Sequence, residues 1–467
     1  MKTKALLALT VVVAFSLVMS QAAPKRDDLY EEYETLTTIV DKILSNYVTD
    51  VDKQELFYGA FEGMLQSLDP YSQFLPPPKK EDLDIDTTGE FGGVGIEITL
   101  DEHKTLTVIT PLEGTPAFNA GVQAGDRIWK INGESTDGMS LLDAVKRLRG
   151  KKGNPVNITV THETNPREPV EITIVRDIIK IKSIVDVRMV DDKAGIGYVR
   201  MTQFQEKTAQ DMDAAINDLL EQGMQALILD LRFNPGGLLA SAVKVCDRFI
   251  DKGVIVSTKG RNNVTKEVFR AHNAATYRFP MAVLVSRQSA SASEIVAGAV
   301  QDHKRAVVIG SRTYGKGSVQ SIISLNKGKC AMRLTTAYYY TPSGRLIHRK
   351  PDAGDDDDWG IYPDIKVEMS SEEYLQLWKN WRERHIDENR APEDDAKDEG
   401  AGTETVDDQD VKTADEGADG TTEGTGQTEV IGPEETEKET VVVDKQLEAA
   451  KLFLNGQLFH ERAATAK

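Results

Sequence analysis

Only two cysteines, Cys246 and Cys330, occur in 467 residues. No disulfide framework can therefore hold this chain together, and its stability must come from buried apolar cores. One bridge between them stays open on sequence grounds, although the apolar neighbours of Cys246 (Val243, Val245, Phe249) favour a buried free thiol. Histidine is equally sparse. Seven are scattered along the chain without a His-x-x-x-His pair, which excludes the usual zinc-hydrolase spacing, and neither a metal site nor a cofactor is expected. His303 directly follows Asp302, so their side chains would diverge on a helix. His103, His162, His348 and His385 fall in polar stretches expected to be exposed. His272 and His460 lack serine or carboxylate motifs, so no Ser-His-Asp arrangement is offered. Cations are outnumbered 56 to 75 and form no patterned basic stretch, which excludes nucleic acid as a partner.

Long apolar runs are missing except at the start. Lys2 and Lys4 precede an apolar stretch from Ala5 to about Met19, followed by Ser20 and Ala22. Residues 1–22 read as a secretory signal peptide, because about 15 apolar residues fall short of the ~20 that span a bilayer. The expected location is outside the cytoplasm, periplasmic or extracellular, with an uncleaved anchor as the alternative.

The net charge of −19 is concentrated in one place. Between Asp387 and Thr440 stand 20 acidic and 4 basic residues, a local −16 that leaves −3 for the rest. Residues 386–441 read as a disordered acidic linker. Weak calcium binding is the lesser reading, since the carboxylates lack loop spacing. Beyond the linker, Leu447, Ala450, Leu454 and Leu458 resume a helical stripe, giving a C-terminal helix over 442–463.

Upstream, residues 27–88 form an N-terminal helical region. Leu29, Tyr33, Leu36, Val40, Ile43 and Tyr47 recur at helical spacing, and Leu56 to Leu65 suggests a second helix. Pro70 and then Pro76 to Pro78 imply an irregular connection. Residues 89–177 are β-rich, with strands at 94–98, 105–109, 127–131 and 156–160, a turn at Asn132-Gly133 and one helix at 140–149. Residues 178–385 alternate strands and helices as an α/β core does. The whole is multidomain α+β.

Two short runs carry chemistry. Ser289-Ala290-Ser291-Ala292-Ser293-Glu294 places three hydroxyls at a helix entrance, and Ser291 stands 25 residues before Lys316 in Tyr314-Gly315-Lys316-Gly317. An exposed lysine titrates near ~10.4, but burial can lower that by roughly 3 units, making a base without histidine. Ser291-x-x-Glu294 also fits a capping box, so Ser291 reads either as a helix cap or as a nucleophile. Asp230-Leu231-Arg232-Phe233-Asn234-Pro235-Gly236-Gly237 follows a buried strand and could aim backbone N–H groups at a developing oxyanion.

Residues 89–177 resemble a PDZ domain, through Phe91-Gly92-Gly93-Val94-Gly95-Ile96 and Ala120-Gly121-Val122-Gln123-Ala124-Gly125-Asp126. Together with Gly63 to Ser72, the Asp230 loop, Ser289 to His303, Gly310 to Gln320, Leu334 to Arg345, Gly360 to Asp364 and Gln446 to Ala450, the chain resembles the carboxy-terminal processing proteases. That resemblance implies a serine endopeptidase with Ser291 as nucleophile, Lys316 as general base and Gln320 orienting the lysine from four residues on, as on a helical turn. It also implies oxyanion donors from Gly236 or Gly237 and Ala292. Asp302 matches a supporting acid of some members, with a helix-end carboxylate as the alternative. Gly93, Val94, Gly95 and Ile96 would grip the free C-terminus of a protein substrate. Arg149 would relay that event, with a surface arginine as the alternative. Relatives imply a homo-oligomer, a dimer built through the terminal helices, and leave room for peripheral association with the cell envelope. The acidic linker and Asp355-Asp356-Asp357-Asp358 depart from the family pattern. Two other functions compete: an inactive PDZ scaffold that tethers C-terminal tails, and a different acyl chemistry such as thioester turnover.

Overall fold

The computed structural model describes residues 27–162, 165–272, 277–388 and 443–465. The expected signal peptide, and the acidic linker from 389 onward, lie outside the described residues. The chain divides into two compact units, Met1–Pro78 with Gln320–Thr335, and Lys79–Val319 with Thr336–Lys467.

In the first unit, helices Asp27–Asn46 and Lys53–Gln66 take up the expected stripes. Asp52 caps the second by accepting from the amides of Gln54 and Glu55 at 2.7 and 3.0 Å, the usual N-cap role of aspartate. Strand Gln73–Leu75 pairs antiparallel with Ala331–Arg333, and Phe74 packs edge-on to Phe61 at 5.2 Å between centroids. Asp69 Oδ1 accepts from the amides of Tyr71 and Ser72, and from Thr335 Oγ1 at 3.2 Å. The proline run does not give an irregular connection: Pro77–Thr88 is a helix. A proline in the first helical turn sacrifices an N–H that would be unpaired anyway, and its fixed φ suits the helix.

The β-rich part of the second unit is a sheet ordered Ile96–Leu100, Leu106–Pro111, Arg127–Ile131, Pro155–His162, Asn165–Val175. Its one longer helix, Leu141–Leu148, starts at Ser140, whose hydroxyl accepts the amide of Asp143. The core beneath it holds Val94, Leu106, Val108, Ile128, Ile131, Val156, Ile158 and Val160. The expected strand 94–98 is instead broken at Val94-Gly95, between Glu90–Gly93 and Ile96–Leu100. Gly95 takes φ +80°, which strand residues do not adopt, and a Cβ there would fall 2.4 Å from that of Thr115.

The α/β core is a six-stranded sheet ordered Ile184–Asp191, Ile196–Met201, Ala226–Asp230, Met281–Val285, Val307–Gly310, Ile365–Lys366. The first pair is antiparallel and every later pair parallel. Alternate strand residues divide between the faces, as a pleated strand requires. Leu227, Leu229, Val283 and Val285 meet helices Thr208–Glu221, Leu239–Cys246 and Ala292–Asp302. Ile228, Ala282, Leu284 and Ile309 face Ala450, Leu454 and Leu458 of the C-terminal helix Lys445–Thr465. Both cysteines are buried free thiols, and burial raises the pKa of Cys246 far above the ordinary thiol range.

Candidate active site

Three adjacent parallel strands end at Asp230, Val285 and Gly310, and each feeds one of the loops singled out above. The carboxyl ends of parallel strands are where such sheets hold their sites, because the following loops converge there.

The middle loop separates its three serines by environment. Ser289 is buried and its hydroxyl donates to Leu231 O at 2.8 Å while accepting the amide of Ser286. Ser293 is buried too, donating to Asn234 O at 3.0 Å. Ser291 is half-buried and sits at φ 58°, ψ −113°. A non-glycine residue in that region costs about 1–3 kcal/mol and persists only where its surroundings over-determine it.

Glu294 does much of that determining. Its carboxylate is fully buried and accepts four donors. Oε2 takes the amides of Ser291 and Lys316, both at 2.8 Å. Oε1 takes Thr313 Oγ1 and the Gly315 amide, both at 2.6 Å. The backbone nitrogens of Ser291 and Lys316 therefore lie no farther apart than twice 2.8 Å. Burial raises the pKa of Glu294 above the ordinary glutamate value, against the lowering effect of those donors. The capping box is real, since the Ser291 amide does reach Glu294, yet the same carboxylate also holds the lysine loop. Sequence reasoning missed this second use of Glu294, for which only the Ser-x-x-Glu spacing was a sign.

Lys316 is half-buried, in a loop pinned from several sides. The hydroxyl of Tyr339 donates to Lys316 O, and the Tyr339 amide to Gly317 O at 2.9 Å. Gly315 O accepts the amide of Arg349 at 2.8 Å, and a Cβ on Gly315 would lie 2.8 Å from that of Arg349. Gln320 does not follow on a helical turn: Ser318–Leu325 is a strand, so the spacing argument for it fails. Its amide donates to Thr335 Oγ1 at 3.4 Å.

The Asp230 loop abuts the serine. A Cβ added to Gly236 would lie 2.8 Å from Ala290 O and from Ser291 Cβ, and 2.9 Å from the Ala292 nitrogen. Asn234 shapes this loop, its Nδ2 donating to Met201 O and its Oδ1 accepting the Gly236 amide at 2.9 Å. The Gly236 N–H is thus spoken for. Among the described residues, no acceptor partners the amides of Gly237 or Ala292.

Asp302 stands at the far end of the Ala292–Asp302 helix, about 16 Å along it from Ser291 at 1.5 Å per residue. Its Oδ2 accepts the amide of Ser343 at 2.8 Å. His303 Nε2 meets Val254 O at 2.7 Å. His162 and His348 depart from the expectation of exposure. Both are half-buried; His162 pairs with the buried Asp126 at 2.7 Å, and His348 lies against the ring of Tyr338.

In the β-rich part, Ile96–Leu100 is the terminal strand of its sheet, so one edge is unpaired among the described residues. Gly93 lies in the ribbon pairing Glu90–Gly93 with Asp177–Lys180. Val94 is buried, and its carbonyl and that of Gly95 accept the amides of Ala117 and Leu112, both at 2.9 Å. Arg149 ends the Leu141–Leu148 helix. Its guanidinium meets Asp82 at 3.0 Å and lies 4.9 Å from the Phe91 ring centroid.

Residues 195–367 match peptidase family S41, residues 82–161 the PDZ domain, and residues 12–77 the activating protease CtpB N-terminal domain. The carboxy-terminal-processing protease of Bartonella bacilliformis is 44% identical over 360 residues, covering 76% of this chain and 79% of that protein. The carboxyl-terminal-processing protease of Synechocystis is 38% identical, with 68% and 72% covered. Carboxy-terminal processing protease CtpA of Bacillus subtilis is 33% identical, with 76% and 72% covered. Among solved structures, a photosystem II D1 C-terminal processing protease is 30% identical at a TM-score of 0.42, covering 71% of this chain and 86% of that one. This chain belongs to the carboxy-terminal processing proteases, serine-type peptidases of family S41 that carry a PDZ domain.

Proposed function

We propose that this protein is an exported endopeptidase that holds the free C-terminus of a protein substrate in its PDZ groove and cuts the chain upstream through an acyl-enzyme. The observation that carries the reading is the buried Glu294 carboxylate, which binds the backbone of the serine loop and of the lysine loop through one oxygen. Structural capping needs only the first of those bonds.

In the proposed reaction the neutral Lys316 amine takes the Ser291 hydroxyl proton as Oγ attacks the scissile carbonyl. The oxyanion then receives the N–H groups of Gly237 and Ala292, two amides beside Ser291 that have no acceptor among the described residues. The ammonium of Lys316 returns its proton to the departing amine, and the same base draws a proton from water to hydrolyse the ester. Gln320 is proposed to orient Lys316, although no helical turn supports it, and Asp302 stays outside the dyad. The PDZ groove offers the unpaired edge of Ile96–Leu100 for an added strand, with Gly93, Val94 and Gly95 at its carboxylate end. The names of the relatives, which specify carboxy-terminal processing, favour such a substrate. Export rests on the apolar start of the chain, peripheral contact with the envelope on that same address, and assembly through the terminal helices on the family resemblance.

Two measurements test this. A fluorophosphonate should label the protein but not its Ser291→Ala variant; equal labelling would remove Ser291 as nucleophile. Mass spectrometry of fragments from an unstructured test protein should show faster cutting with a free than an amidated C-terminus. Equal cutting would remove the tail-gripping half.

A further inference from the structure

Arg232 is the largest fully buried side chain among the described residues, and it lies in the loop that leads to Gly236 and Gly237. Its guanidinium is encircled by acceptors from two distant parts of the chain. Asp230 takes Nε at 2.9 and 3.0 Å and Nη2 at 2.6 Å. Asp444 takes Nη1 and Nη2 in a two-pronged pair, both at 2.8 Å. Gln446 Oε1 accepts Nη1 at 3.2 Å. Asp444 immediately precedes the C-terminal helix, 212 positions after Arg232. Burial opposes charge on both partners, and their mutual attraction overcomes it, raising the arginine pKa well above its usual value and lowering that of Asp444.

Gln446 extends the contact to the second catalytic loop. Its amide donates to Val367 O at 2.7 Å and to the Tyr374 hydroxyl at 3.0 Å. That hydroxyl lies 3.0 Å from Ser311 Oγ, where the loop carrying Lys316 begins. Phe233, next to Arg232 and at φ +60°, is held edge-on between Tyr374 and Trp381 at 5.5 and 5.6 Å. Docking the C-terminal helix on the sheet needs none of this: Ala450, Leu454 and Leu458 supply the apolar contact. A bidentate Arg–carboxylate pair is directional, fixing an orientation as well as a position.

We propose that Asp444 and Gln446 are positioning residues for acyl transfer, holding through Arg232 and Tyr374 the roots of the loops that carry the oxyanion donors and the general base. This rests on the function proposed above. It makes the segment after the acidic stretch a latch on the active site, so that the two sides of that stretch must meet for the site to be in order.

The test uses the full chain with Asp444→Asn, Asp444→Glu and, as a control for docking alone, Leu454→Ala. For Asp444→Asn we expect kcat on a tailed peptide and the fluorophosphonate labelling rate to fall about tenfold or more, with KM within about twofold. Amide exchange across 231–238 should rise about tenfold in the same variant. Asp444→Glu should recover part of each. Leu454→Ala should lower Tm at least as far while leaving kcat and that exchange near wild type. The proposal is overturned if Asp444→Asn keeps wild-type exchange across 231–238, or if Leu454→Ala changes kcat and exchange as Asp444→Asn does. Failure of the wild-type protein to label would instead strike the proposed function, and the exchange comparison would still decide the latch.

Discussion

The serine and lysine loops and the open edge of the PDZ sheet handle their backbone hydrogen bonds in opposite ways. Around Ser291 and Lys316 nearly every donor is committed: two amides to one oxygen of Glu294, the Gly236 amide to Asn234, and the flanking serine hydroxyls to backbone carbonyls. In the groove, an entire strand edge of Ile96–Leu100 has no ladder partner among the described residues. Preorganised donors lower a barrier only if they need not rearrange during reaction. An extended peptide, by contrast, binds by completing a ladder that is left incomplete. Rigidity belongs where charge develops, and openness where many sequences must be accepted.

The sharpest way to break that contrast is Glu294→Gln. An amide in place of the carboxylate sets an N–H₂ against two backbone donors. Hydrogen bonds to a charged group contribute about 1.5–3 kcal/mol each. We expect kcat to fall about a thousandfold while tail binding, measured by fluorescence polarisation with a labelled peptide, stays within twofold. Loss of both together would mean that the carboxylate serves global folding instead.

The same carboxylate predicts an acid limb. Its raised pKa means that folding favours its protonated form. The stability contributed by Glu294 is therefore full below the ordinary glutamate value and declines as pH rises through the folded value. Activity has the opposite sign, because only the carboxylate accepts all four donors. Fluorophosphonate labelling should lose up to tenfold per pH unit on this group's account, beyond the loss from protonation of the Lys316 base, as pH drops through that raised value, while Tm does not decline on this group's account. An acid limb that never exceeds tenfold per pH unit, the loss that one proton gives, would separate Glu294 from the site.

On the groove side, Gly92→Ala is the counterpart. A Cβ there would lie 2.1 Å from Gly150 O, a backbone atom that cannot swing aside. Overpacking of this kind costs about 1–3 kcal/mol, which is about 5- to 150-fold in tail affinity if spent at the carboxylate loop. Ser291 labelling should stay within twofold. Equal loss of labelling would show that the two regions are not separable.

What the sequence disclosed follows the range of the interactions. The α/β alternation and the PDZ helix were legible because side-chain periodicity is local. The serine and lysine loops were legible as motifs, and Ser291-x-x-Glu294 even announced its capping bond. It could not announce that Glu294 also binds Lys316, because that contact depends on two neighbouring parallel strands ending side by side. Arg232 with Asp444 is the extreme case, a buried pair with no local pattern at either end. Pro76 to Pro78 and Gln320 misled for the converse reason. Proline reads as a breaker unless one knows that it opens a helix, and a four-residue interval means a shared face only if the segment is helical.

Arg149→Ala should have the smallest effect, and for that reason it sharpens the contrast. Its side chain is about one-third exposed, and its partner Asp82 is more so. Such pairs contribute about 0.2–1 kcal/mol, and the guanidinium over Phe91 adds about 0.5–1 kcal/mol. Phe91, under the guanidinium and just before the proposed carboxylate-binding residues, would feel the loss. We expect Tm within 2 °C of wild type, to order of magnitude, and KM for a tailed peptide raised about threefold. If Arg149 instead relays occupancy to the protease, kcat would fall more than tenfold with KM unchanged. The groove would then be wired to the catalytic loops through a side chain that now rests on Asp82.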